Sequence, residues 1–323
     1  MGVELHDNRG LICGYLLQSQ GPAVAIEIGA VSAVEPPADA LWLHFNLNDG
    51  RARAWIGGCT WLPAEGRERL LGSERSAFLE VWGNAISGAL ADVYSDDPER
   101  FGLVYVHVNQ NCLISGRRHP VTAAALLHAD LAAGLPIDTT PALFNRLFTH
   151  LVATRTKAVA EFVAVIDQAE DRVFAGAYHA VRLGQHRGGM ARLRRQLVAD
   201  RNACVDFFAH PPAWWPKPAT KNLRRLGGAL TSAVQDLELT EDRARLINEE
   251  IDSRQIERTN RNLYFVSMAA AVFLPMTVIS GIFGMNVGGL PWVEDASGFR
   301  WVMACMAAAV TLALALLAWR RML

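Results

Sequence analysis

Two uncharged apolar runs near the C-terminus constrain this chain more than any other feature. Residues 264–284 (YFVSMAAAVFLPMTVISGIFG) hold 21 positions without a charge, and residues 301–319 hold 19 more, bracketed by Trp301 and Trp319. At a rise of about 1.5 Å per residue the first run makes roughly 30 Å of helix, one hydrocarbon thickness. Tryptophans at both ends of the second suit the two interfaces of a bilayer. The competing reading is a buried hairpin of a soluble protein, but two adjacent runs of this length exceed what a soluble core needs. The sequence therefore predicts a membrane unit over 263–323, with spans at 264–284 and 301–319 and a loop at 285–300. Arg254, Arg258 and Arg261 precede the first span, Arg320 and Arg321 follow the second, and the loop carries Glu294, Asp295 and a single Arg300. The positive-inside rule then puts both termini in the cytoplasm and the loop outside. Residues 1–7 have neither a basic region nor an early apolar run, so no leader is expected.

The rest reads as a cytoplasmic α+β region followed by helices. Over 1–140, short β-prone runs occur at 11–18, 23–28, 40–47, 77–82, 102–108 and 111–116, separated by Gly-Pro, Pro-Pro, Asn-Asp-Gly and Asp-Asp-Pro turn signals. Helical patterns intervene near 67–71 and 121–133, so a mixed sheet with helices is expected. From Pro141 the strand signal stops. Over 142–175, Leu143, Leu147, Leu151, Phe162, Val165, Ile166 and Val173 recur at helical spacing, and a second helix is expected over 190–208. Gly188-Gly189 reads as a flexible turn at its start. After the Pro- and Trp-rich segment 210–218, a run beginning at Thr220 lacks proline until Pro275. Unbroken to Gly284, it makes a helix of 65 residues. Such a helix is about 98 Å long, too long to be buried within one domain, and must be a stalk supported by other helices or by copies of itself. The division expected is thus 1–140, 141–262 and 263–323.

Charge and motifs exclude more than they assign. The formal net charge is −1, which gives no bulk attraction for nucleic acid. Residues 1–141 carry 9 basic and 16 acidic side chains, whereas 142–262 carry 19 and 14. The 5 cysteines are scattered without a C-x-x-C pair, which suits a reducing compartment and gives neither a disulfide framework nor a zinc knuckle. No Walker A, G-x-S-x-G or H-E-x-x-H motif is present. His107 and His128 read as core or surface histidines, and His179 and His186 offer only a weak pairing across Gly184. No catalytic site and no bound cofactor are expected, and the chain does not read as an enzyme.

The first span has two unlike faces. Positions 260, 263, 267, 270, 274, 277, 281 and 284 read Asn, Leu, Ser, Ala, Leu, Thr, Gly, Gly, while Phe265, Val272, Phe273, Met276, Ile279 and Phe283 lie elsewhere. A small or polar stripe serves close helix packing. It equally serves a narrow water-filled path with hydrophobic constrictions.

Gly284-Met285-Asn286 stands at the outer end of this span, after a long stalk helix and before a short loop, a second span and a basic tail. That arrangement resembles the CorA superfamily of divalent-cation transporters. Val272-Phe-Leu-Pro275, Gly281-Ile-Phe-Gly-Met-Asn286 and Val287-Gly-Gly-Leu-Pro291 look most like its ZntB zinc-transporter branch. The resemblance implies a funnel-shaped homopentamer in the bilayer whose first spans line a central pore. It implies a selectivity motif at Gly284, Met285 and Asn286, with five Asn286 amides at the mouth. Matched position by position, Asn260, Val266, Leu274, Thr277 and Gly281 become pore-lining. Glu294 and Asp295 would attract cations outside, and Glu249 would stand near the inner entrance. Glu249 reads equally as a salt-bridge partner of Arg245 or Arg254, and the loop acids equally as solvated residues. The implied activity is Zn²⁺ transport, with proton coupling as proposed for that branch. A Mg²⁺, Co²⁺ or Ni²⁺ channel is the alternative within the class, and a membrane-anchored cytoplasmic sensor or scaffold is the alternative outside it.

Overall fold

The computed structural model describes residues 10–19, 21–35, 39–74, 76–97, 100–178, 183–285, 287–292 and 296–319. Its contacts divide the chain into two units, Met1–Ile247 and Asn248–Leu323.

The first unit is built on a mixed sheet. Its strands are β1 (Leu11–Leu16), β2 (Val24–Ala25), β3 (Leu41–Asn46), β4 (Phe78–Trp82), β5 (Ala85–Val93), β6 (Phe101–Val108) and β7 (Cys112–Arg117). They lie in the order β2-β1-β3-β7-β6-β5-β4, antiparallel throughout except for the β3–β7 pair. Alternation along β3 divides its side chains between two cores. Leu41, Leu43 and Phe45 join Ile56, Leu62 and Leu70, contributed by α1 (Gly50–Gly58), α2 (Ala64–Leu71) and their connection. Trp42 and His44 face the other way and share the Ser115 hydroxyl at 2.8 Å each. On that side lie α3 (Thr122–Ala132) and α4 (Thr140–Phe174), while α5 (Gly184–Ala209) runs along the edge strand β4.

Three local readings are corrected. No strand signal marks β5, because Ala, Gly, Ser and Asp are poor strand formers. All nine of its residues are nevertheless buried between β4 and β6. The α1 helix was equally silent; it starts where the Asp49 carboxylate accepts the Arg51 backbone N–H at 2.8 Å. Gly188-Gly189, expected as a turn, lies inside α5. A Cβ on Gly189 would come within 2.9 Å of Phe162, so the glycine is there to let α4 and α5 approach.

The long helix exists. It is α6 (Lys217–Phe283), 67 residues with Pro275 in its interior. In its first half Leu223, Leu226, Leu230, Ala233, Val234, Leu237, Thr240, Ala244 and Ile247 form one buried stripe at spacings of three and four. Arg243 ties this half to α4 through Asp167 and Glu170, each at 2.6 Å. Beyond Ile247 no described residue of α6 is buried. The second unit holds the rest of α6 and α7 (Gly298–Trp319), and both helices are long and apolar enough to cross a membrane.

Candidate functional site

Within the second unit the membrane half of α6 has one partly covered face. Tyr264, Met268, Ala271, Val272, Pro275, Met276, Ile279 and Phe283 are half-buried, and at 100° per residue they share one side of the helix. Of the five expected pore residues, Val266, Leu274, Thr277 and Gly281 lie on the other side and Asn260 lies at its border. Asn260, Val266, Leu274, Thr277 and Gly281 are exposed, Val266 at 67% and Leu274 at 66%. One helix therefore carries these positions on a single face.

Each side chain on this face has a definable chemistry. The Thr277 hydroxyl donates to the Phe273 carbonyl at 2.8 Å, so its proton is committed to its own helix and its lone pairs are presented outward. Asn260 offers an amide, Val266 and Leu274 offer only carbon, and nothing lies within 4 Å of where a Gly281 Cβ would be. The face thus offers neutral oxygens and, between them, carbon alone. At the end of the helix, the Gly284 N–H donates to the Ser280 carbonyl at 2.9 Å. A Cβ on Gly284 would also fall 2.9 Å from that oxygen, which explains the glycine. Met285 is 49% exposed. Asn286, Glu294 and Asp295 lie outside the described residues. Glu249 is exposed on α6, and Arg254 bonds Glu250 at 2.7 Å.

The loop before α7 is closed by a feature the sequence did not announce. Trp292 adopts a left-handed backbone (φ 65°), and its ring stacks on Trp301 with centroids 6.1 Å apart. Gly298 packs so closely on the Trp292 carbonyl that no Cβ fits there.

In the first unit, the most strongly perturbed carboxyls were also missed. Arg155 of α4 and Asp200 of α5 form a salt bridge with side chains 1% and 0% exposed. Asp200 also accepts the Ala91 N–H at 3.1 Å. Asp92 of β5 accepts the N–H groups of Val93 and Ala123 at 2.8 and 2.7 Å. Burial pushes both carboxyls up to about 6, against the pull of Arg155. Burial likewise holds His44 down at about 3 and His107 at about 4, so both are neutral core imidazoles. No group of three or more His, Cys, Asp or Glu is placed to hold a metal among the described residues.

An α+β domain, a helix running on from it, and an apolar hairpin with a small, polar and exposed face define a class: a membrane protein with a two-span C-terminal unit. The chain belongs to the CorA-like Mg²⁺ transporter protein family, whose profile matches residues 37–321. It is 28% identical over 313 residues to the divalent cation transporter CmaX of Pseudomonas aeruginosa, covering 94% of this chain and 93% of that one. It is 26% identical over 303 residues to the zinc transport protein ZntB of Yersinia enterocolitica, covering 89% and 88%. The solved structure of full-length CmaX superimposes with a TM-score of 0.83 at 25% identity, covering 99% of each chain. The family resemblance and the α+β fold with long helix and hairpin, both expected from sequence, are thus borne out.

Proposed function

We propose that this chain is one subunit of a divalent-cation transporter in a bacterial inner membrane, with Zn²⁺ as its cargo and both termini cytoplasmic. The observation that carries the reading is the exposed face of α6, where Asn260 on one side and Thr277 and Gly281 on the other flank Val266 and Leu274. Copies of α6 arranged around an axis, five in the proposed assembly, would cover this face and turn it into a pore wall. The long stretch of α6 without a buried residue supports such an assembly, because a helix unsupported over that length needs partners.

The wall works by hydration. Zinc and magnesium hold their water tightly, and neutral amide and hydroxyl oxygens replace only the outer hydrogen bonds of a hydrated ion. Val266 and Leu274 form dewetting constrictions that close the path at rest. Asn286 rings the mouth, between Met285 and Val287, while Glu294 and Asp295 raise the local cation concentration. Glu249 stands at the inner end. None of these groups is a thiolate or imidazole, so softness does not select the metal. The choice of zinc rests on the ZntB relative and on the Val287–Pro291 sequence after the Gly-Met-Asn motif.

Uptake into proteoliposomes tests the reading, with Zn²⁺ against Mg²⁺ and with and without a pH gradient. Zinc uptake that Asn286→Ala abolishes in an intact oligomer is the expected outcome, and stimulation by the gradient would add proton coupling. Magnesium uptake without zinc uptake would move the protein to the channel alternative. No uptake of either ion would leave the anchored scaffold.

A further inference from the structure

A notch at one end of the sheet has a composition that the packing of the first unit does not require. It lies between the β4–β5 and β6–β7 turns and has a volume of about 320 Å³. Trp61, Pro63 and Trp82 supply its apolar surface, and Asn84, Gln110 and Asn111 supply carboxamides. No charged side chain lines it among the described residues.

Both turns are held from behind. The Trp214 indole N–H donates to the Asn84 carbonyl at 2.9 Å. The Thr140 hydroxyl is shared between the carbonyls of Asn109 and Gln110 at 2.8 and 3.0 Å. Asn109 Oδ1 accepts the N–H groups of Asn111 and Cys112 at 2.9 and 2.8 Å. With the backbone fixed in this way, the carboxamides of Asn84, Gln110 and Asn111 have no protein partner among the described residues. The two indoles are the reverse case, because their N–H groups are already used. Trp61 donates to the Ser32 carbonyl at 3.0 Å and Trp82 to Glu80 Oε2 at 2.9 Å. The tryptophans therefore offer the notch only carbon, and the side-chain hydrogen bonds available to a ligand come from groups that both donate and accept.

We propose that this notch binds a neutral purine nucleoside, its base against the indoles and its heteroatom edge on the amides. A flat ring that is apolar on its faces and polar at its rim meets both kinds of surface at once. Asn and Gln amides match the adjacent acceptor and donor of adenine, and indoles stack on any base. A charged ligand would lose hydration here without gaining a countercharge. Phosphates on the nucleoside should therefore add nothing to binding.

The test is calorimetric titration of the full-length protein in detergent with adenosine, ATP and glucose. Saturable adenosine binding is expected, with ATP within about 3-fold of it and glucose far weaker. Trp82→Ala should weaken adenosine by roughly 10-fold or more. Asn111→Leu, which keeps the exposed turn and removes its amide, should also weaken it, while Trp319→Ala should not. The proposal is overturned by no saturation at about 5 mM adenosine, by ATP binding far more tightly, or by glucose binding as well. It is equally overturned if Trp82→Ala and Asn111→Leu, both folded by circular dichroism, bind adenosine like the parent.

Discussion

Replacing Arg155 with methionine isolates the electrostatics of the buried cluster from its packing. Arg155 is salt-bridged to the buried Asp200 and acts at longer range on the buried Asp92. Methionine fills most of the volume but leaves Asp200 with only the Ala91 N–H. Removing one partner of a buried pair typically costs about 3–5 kcal/mol. For a unit of this size each kcal/mol moves the melting temperature by roughly 2–4 °C, so a fall on the order of 10 °C is expected at pH 7.5. The pH dependence gives the sharper test. Asp92 and Asp200 have folded pKa values raised from 3.8 to about 6. Stability from a raised carboxyl is fully present below the unfolded value and is lost as pH rises through the folded one, about 3 kcal/mol for a shift of this size. The two acids face one guanidinium and titrate together, so one such increment belongs to the pair. Below about pH 5 both carboxyls are neutral and Arg155 has no charge to compensate. The gap between parent and variant should therefore shrink to less than half its neutral value. His44 and His107 lose stability in the same window, but equally in both proteins, so the difference cancels them. Tryptophan fluorescence melts of the full-length protein, where Trp42 and Trp215 report on the first unit, would measure it. A gap that stays constant from pH 7.5 to 5 would refute the charge argument and leave Arg155 as packing alone.

Other expectations follow from the same structure. Thr277→Val keeps the shape of the exposed face but removes its outward lone pairs, and zinc flux should fall several-fold without loss of the oligomer; unchanged flux would take Thr277 off the path. Gly298→Ala puts a methyl group where the Trp292 carbonyl lies, so the loop must open, visible as faster proteolysis between residues 287 and 297. Cys13→Ser and Cys305→Ser should be silent in transport. Cys59, Cys112 and Cys204 are buried, and each serine there should lower stability by about 1–3 kcal/mol, read as a lower melting temperature with transport retained at low temperature.

The sequence by itself determined the parts that depend on local composition and period. Uncharged length set the two spans, the run without proline from Thr220 to Pro275 set the long helix, and Gly284-Met285-Asn286 in its place pointed to the family. Even the face of α6 carrying Asn260, Leu274 and Thr277 was legible, because one helix fixes which residues share a side. Which side would be covered was not legible, since small residues serve a packed seam and a pore wall alike. Tertiary structure alone decided the rest. The β5 segment has the composition of a weak strand and becomes one because β4 and β6 pair with it. Gly189 looked like a hinge and is a contact, because Phe162 stands 27 residues away in sequence but against it in space. Arg155, Asp92 and Asp200 come from three elements and carry no local pattern. Their shifted protonation arises from desolvation and mutual approach, which exist only after the sheet and helices have closed around them.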